Sequence, residues 1–134
     1  FLPGAMIAAK TSRLRELGGF RPDFFMYLED VELCSRVLKR GLDIFIVPKA
    51  RVYHHDPPAG PNPPRLAFHK HKNFAALYLL HAPIAVLPVF LLRYAGVEAI
   101  RHLFAQRSSF PSWLQAWVWV ALHAPKLFAE RARL

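Results

Sequence analysis

The sequence predicts an α/β domain followed by an α-helical segment, and three observations predict it. Short apolar runs at 5–9, 43–47 and 51–54 alternate with stretches of helical spacing. A Pro/Gly cluster, Asp56-Pro57-Pro58-Ala59-Gly60-Pro61-Asn62-Pro63-Pro64, then breaks the chain, because its five prolines can continue neither a helix nor a central strand. Beyond the break the chain reads as helical and apolar. This places one unit at 1–62 and a second, basic and helical, at 63–134.

Ala5–Ala9 reads as a buried strand that runs into a short helix, Thr11–Leu17, with Thr11 or Ser12 as N-cap. Gly18-Gly19 ends that helix, since glycine adopts the left-handed C′ conformation without penalty. Phe24-Phe25-Met26-Tyr27-Leu28 is an aromatic approach to a second helix, Glu29 to Arg40, with Val31, Cys34, Val37 and Leu38 on one face. Lys39-Arg40 complement its C-terminal dipole and Gly41 closes it. Asp43–Val47 and Arg51–His54 read as short strands separated by Pro48.

After the break, His69–Asn73 is a polar, basic entry to Phe74–Leu92, a run of 19 residues without a formal charge. A spanning helix needs ~20 apolar residues, so the length is borderline, and Pro83 and Pro88 interrupt it. Trp113–Pro125 is aromatic-rich but short, and its Trp113, Trp117 and Trp119 read as an interface belt or as packing. Residues 1–60 hold nine Lys/Arg against seven acids, whereas 61–134 hold nine against Glu98 and Glu130. Basic residues that flank apolar runs fit shallow insertion on an anionic membrane surface, rather than nucleic acid. Buried helices of an intact protein are the alternative.

With 54% hydrophobic and 20% charged residues in 134, a disordered chain is excluded. Cys34 is the single cysteine, which rules out an internal disulfide and a Cys-built zinc site. No cationic region leads into an export-type apolar run, so the cytoplasmic side is the default. The abrupt start in Phe1-Leu2-Pro3-Gly4 reads as a piece of something longer.

The informative segment is Gly18-Gly19-Phe20-Arg21-Pro22-Asp23-Phe24-Phe25-Met26-Tyr27-Leu28-Glu29-Asp30-Val31-Glu32-Leu33-Cys34-Ser35-Arg36. Two adjacent acids sit at a helix N-terminus behind an aromatic wall. The pattern resembles the C-terminal half of family 2 glycosyltransferase catalytic domains of the GT-A fold, in the style of rhamnosyltransferases. The resemblance continues through Gly41, Pro48 and Ala50-Arg51-Val52-Tyr53-His54, and Gly4-Ala5-Met6 is similar to the family's strand on the acceptor side. It covers residues 1 to about 56. Two positions depart from the pattern: Arg21 stands where the family has Asp after Gly-Gly-Phe, and Glu32 replaces the second Asp of Glu-Asp-x-Asp.

The resemblance implies the closing part of a mixed GT-A sheet and an inverting transfer from a nucleotide-sugar donor to a lipid-linked or polysaccharide acceptor. Asp30 is then the general base, which removes the proton of the attacking hydroxyl, and Glu29 helps to position the acceptor or the base. Gly4, Ala5, Gly19, Phe20, Phe25, Tyr27 and Arg36 fall to the acceptor side. His54 is similar to a family position that reaches either the diphosphate leaving group or a divalent cation, Mn or Mg, which assists departure of the diphosphate. The rest of the cation site and the donor cradle belong to an N-terminal half with an Asp-x-Asp motif, which this sequence lacks. The piece alone is therefore expected not to turn over. The competing classes are a non-catalytic basic module that docks on a membrane or partner, and a transferase half kept only for assembly. An acid pair at a helix N-terminus is also stabilised by the macrodipole without any catalytic duty.

Overall fold

The computed structural model describes residues 4–55, 63–105 and 107–134. The chain divides into two compact units, Phe1–Pro61 with Leu134, and Asn62–Arg133. The Pro-rich stretch over 56–62 lies outside the described residues.

In the first unit, α1 (Thr11–Glu16) and α2 (Glu29–Lys39) flank a 3-10 turn at Pro22–Phe24. The N-cap of α1 is Lys10, one residue before the expected pair, and no side chain caps it. Its far end is a Schellman turn: Gly19 N–H donates to the Leu14 carbonyl (2.8 Å) and Gly18 N–H to that of Arg15 (3.0 Å). Both glycines have positive φ, at 80° and 64°. The same closure recurs after α2, where Leu42 N–H reaches the Val37 carbonyl (3.1 Å) and Gly41 N–H that of Leu38 (3.0 Å). Phe24, Leu33 and Cys34 are buried. The buried face of α2 is Glu32, Leu33, Cys34 and Arg36, whereas Leu38 of the expected apolar stripe is exposed.

The expected α/β class and its mixed GT-A sheet are corrected by the backbone: among the described residues there is no strand. The segments 5–9, 43–47 and 51–54 carry strand-like residues but run as irregular chain. A strand exists only through hydrogen bonds to a neighbour, and these segments have no partner strand among the described residues. Their apolar side chains consequently face outward, with Phe45 76% and Tyr53 91% exposed.

The second unit is built around α3 (Pro64–His81) and α6 (Phe110–Arg131). Ser112 Oγ at the start of α6 donates to the carbonyl of Pro64 at the start of α3 (3.0 Å), and Arg131 at its end reaches the carbonyls of Leu79 (2.9 Å) and Ala82 (2.5 Å). The two helices are therefore parallel. Arg131 also resolves a local problem, since Pro83 has no N–H to offer the Leu79 carbonyl. Ala75, Ala76 and Ala116, all buried, keep side-chain bulk small where α3 and α6 pack.

The return from α3 to α6 passes a 3-10 turn (Ile84–Val86), α4 (Leu87–Phe90), a π-helical stretch (Leu91–Val97) and α5 (Glu98–Phe104). The uncharged run 74–92 is thus split where its prolines stand. Among the described residues no helix is long and apolar enough to cross a membrane. The tryptophans serve packing: Trp113 is buried, with its ring 6.1 Å from that of His102, and Trp117 lies 6.0 Å from Tyr94. Lys72 of the basic entry is turned inward. It is 4% exposed, with its ammonium 4.8 Å from the Trp119 ring centroid and 5.7 Å from that of Phe68. Aromatic faces attract a cation stripped of water.

Candidate functional site

The site begins with an unusual stretch of backbone. Phe25, Tyr27 and Leu28 all have positive φ, at 27°, 66° and 64°. None is glycine, and such conformations cost about 1–3 kcal/mol each. They turn the chain sharply enough for α2 to start at Glu29, with Leu28 as an N-cap that offers no side-chain acceptor. Glu29, Asp30 and Glu32 therefore supply the negative charge in the first turn, where the helix dipole favours it.

Asp30 is held from two directions. Its Oδ1 accepts the N–H of Val31 (2.7 Å) and its Oδ2 accepts the N–H of Gly4 (2.7 Å). Gly4 must come close to do this: a Cβ added there would stand 3.3 Å from Asp30 Cβ and 3.5 Å from Oδ2. Asp30 as a residue is half-buried rather than sealed. Beside it in sequence, Glu29 is half-buried as well, and its Oε2 is a buried oxygen without a hydrogen-bond partner.

A second cluster ties α2 to the end of α1. Arg36 Nε lies 2.9 Å from both carboxylate oxygens of Glu32, and its Nη2 donates to Oε2 at 2.7 Å. The same guanidinium donates through Nη2 to the Gly19 carbonyl (2.7 Å) and through Nη1 to the Leu17 carbonyl. Glu32 is 0% and Arg36 7% exposed. Arg36 thus spends its donors on the Schellman turn and a buried acid, which is a positioning task. Arg21, the other departure from the family pattern, forks onto Asp23 (3.1 and 2.7 Å) and lies over the Phe24 ring.

The structure brings Gly4 to Asp30 and Gly19 to Arg36. Ala5 is exposed, Phe20 and Phe25 are exposed, and Tyr27 is half-buried in the strained approach. His54 is exposed in the irregular run after Pro48. Among the described residues no group of three or more His, Cys, Asp and Glu side chains gathers as a cation site. The described residues do not by themselves fit the divalent cation that the resemblance implies. The Gly4 amide and the Glu32–Arg36 pair were not foreseen. Their i,i+4 spacing was the available signal for the pair; nothing in the residue order marked the amide.

Another polar cluster lies in the second unit. Nδ1 of His71 is 3.0 Å from the Tyr94 hydroxyl, and its ring meets that of His102 edge-on at 5.0 Å. His102 Nδ1 contacts Ser109 Oγ at 2.8 Å, and Glu98 pairs with Arg101 at 2.6 Å. Burial, reinforced by His102, Lys70 and Arg101, pulls the His71 imidazole down to about 4. Burial, with Glu98 adding to it, pushes the Tyr94 hydroxyl above its ordinary range.

Part of the chain is similar to a known glycosyltransferase. Over 55 residues it is 40% identical to N-acetylglucosaminyl-diphospho-decaprenol L-rhamnosyltransferase of Mycobacterium tuberculosis, in both strain CDC 1551 / Oshkosh and strain ATCC 25618 / H37Rv. The similarity spans 41% of this chain but 18% of the length of those relatives. No family model matches the chain, and no solved structure matches it.

Proposed function

We propose that the chain is the acceptor-side part of an inverting glycosyltransferase resembling family 2, with Asp30 as general base. The observation that carries this reading is the Asp30 carboxylate, fixed by the N–H groups of Gly4 and Val31 on a residue that is only half-buried. The partial similarity to a rhamnosyltransferase supports glycosyl transfer as the reaction class. In the step proposed, Asp30 takes the proton of an acceptor hydroxyl as its oxygen bonds to the anomeric carbon of a nucleotide-sugar. The bond from that carbon to the diphosphate breaks, and the nucleoside diphosphate leaves with the electron pair. Two backbone donors keep the base from rotating away from the hydroxyl, and a misplacement near 1 Å costs about 10²-fold in rate.

The acceptor is proposed to be lipid-linked or a polysaccharide, as the name of the relative supports. Peripheral association with the cytoplasmic face of an anionic membrane belongs to the same proposal. The basic excess of 61–134 and the exposed Ile84, Val89, Leu92, Ile100 and Phe104 support it.

The test is Asp30→Asn in the complete polypeptide that carries this sequence, assayed with a panel of nucleotide-sugars. Transfer is expected to fall by at least ~10²-fold, the lower range for loss of a general base, with circular dichroism unchanged. Unaltered turnover would reduce Asp30 to a cap of α2 and leave a non-catalytic docking module as the reading.

A further inference from the structure

The second unit holds a cavity of about 330 Å³. The π-helical stretch helps to shape it. Wider turns of this kind interrupt the regular α-helical spacing of side chains and recur at functional sites. Here they leave Phe90 and Tyr94 stacked at 5.3 Å, while Phe90 also stacks on Tyr78 of α3 at 4.0 Å. With Phe74 these rings form the walls.

Two of the polar groups on that wall are already engaged. The Tyr94 hydroxyl faces His71 Nδ1 at 3.0 Å and Glu98 pairs with Arg101 at 2.6 Å. The rest of the lining is mainly aromatic and aliphatic, which suits an apolar inner part of the occupant. Arg93 is different: it borders the cavity, is exposed, and among the described residues makes no ion pair or hydrogen bond. Val86 and Val89, both exposed, border the same opening, and Leu92 is 78% exposed on the turn beside Arg93.

An apolar hollow with one unpaired cation at its border selects an amphiphile with an anionic head. The volume is at the low end for small-molecule sites, with room for a stretch of one hydrocarbon chain. We propose that this cavity takes one acyl chain of an anionic phospholipid, with the phosphate on Arg93. The excess of basic over acidic residues in 61–134 favours the same sign of ligand. This goes beyond glycosyl transfer and does not depend on it.

The experiment titrates the full chain with dihexanoylphosphatidic acid kept below its micelle concentration, by calorimetry and by tryptophan fluorescence, since Trp117 lies 6.0 Å from Tyr94. Dihexanoylphosphatidylcholine and inorganic phosphate are the comparison ligands. Saturable binding is expected. Arg93→Gln should weaken it about fivefold, what one basic residue contributes at an anionic lipid surface, and remove the preference over phosphatidylcholine. Val89→Trp, which fills the mouth, should abolish it. Both side chains are exposed, so circular dichroism should match the parent. Absence of saturation, unchanged binding by Val89→Trp, or equal affinity for inorganic phosphate would each overturn the proposal. No sugar is present, so the outcome is separate from that of the Asp30 test.

Discussion

Glu32 has lost its water entirely, and a carboxylate in that position is tolerated only against a hydrogen-bonded cation. Arg36 provides it in bidentate form while also holding two carbonyls of the α1 turn. Removing one member of a buried pair costs about 3–5 kcal/mol because the other is stranded. Arg36→Met should therefore lower the stability of the first unit by about that much in urea unfolding. The double variant Glu32→Leu/Arg36→Met should regain much of the loss. A loss below about 1 kcal/mol, the scale of a surface pair, would show that the pair is solvated in solution. Gly4 offers a gentler perturbation. Gly4→Ala sets a methyl group 3.3 Å from Asp30 Cβ, so the carboxylate must shift. If Asp30 is the base, a shift of a few tenths of an ångström should lower kcat of the complete enzyme by less than the ~100-fold of a 1 Å misplacement, with melting temperature nearly unchanged. A kcat equal to the parent's would mean that the Gly4 contact does not set the geometry of the base.

At the level of elements, helix ends were the most legible feature of the residue order. Gly18-Gly19 and Gly41 stop α1 and α2 because left-handed backbone is a local requirement that the residue itself satisfies. Pro83 ends α3 for an equally local reason. The expected strands failed because pairing is not local: Phe45, Ile46 and Val47 have the right character, and no neighbouring strand among the described residues. Burial of Lys72 was illegible too, since Trp119 reaches it only after α3 and α6 have packed. In the site, the acid pair and its aromatic approach could be read directly, whereas the Gly4 contact spans 26 residues of chain. The contact of α3 with the π-helical stretch yields a pH prediction. His71 has its folded-state pKa depressed from 6.5 to about 4. Between those values the unfolded chain binds the extra proton, so stability rises with pH across this window. The second unit should thus weaken progressively from about pH 6.5 down to about pH 4, and no further on this account below it. His71→Gln should flatten that slope in thermal melts; a slope identical to the parent's would place the sensitivity elsewhere.

For the molecule as a whole, two properties act against each other. The exposed run Phe45-Ile46-Val47, with Val52 and Tyr53 beyond it, is apolar, β-prone and unpaired with any strand among the described residues. Such runs pair with copies of themselves. Opposing this, the net charge of +9 makes copies repel one another. Repulsion between surfaces is screened by salt, with a Debye length of about 30 Å at 0.01 M and about 3 Å at 1 M, whereas burial of apolar side chains is not. The chain should therefore be mainly monomeric at low ionic strength and self-associate as salt rises, as sedimentation velocity would record. Ile46→Lys adds a charge where edge pairing would occur and removes an exposed apolar side chain, so it should move the onset of association to higher salt without altering helical content. An unchanged onset would locate the contact elsewhere, and the exposed Ile100 and Phe104 of α5 would then be the next positions to charge.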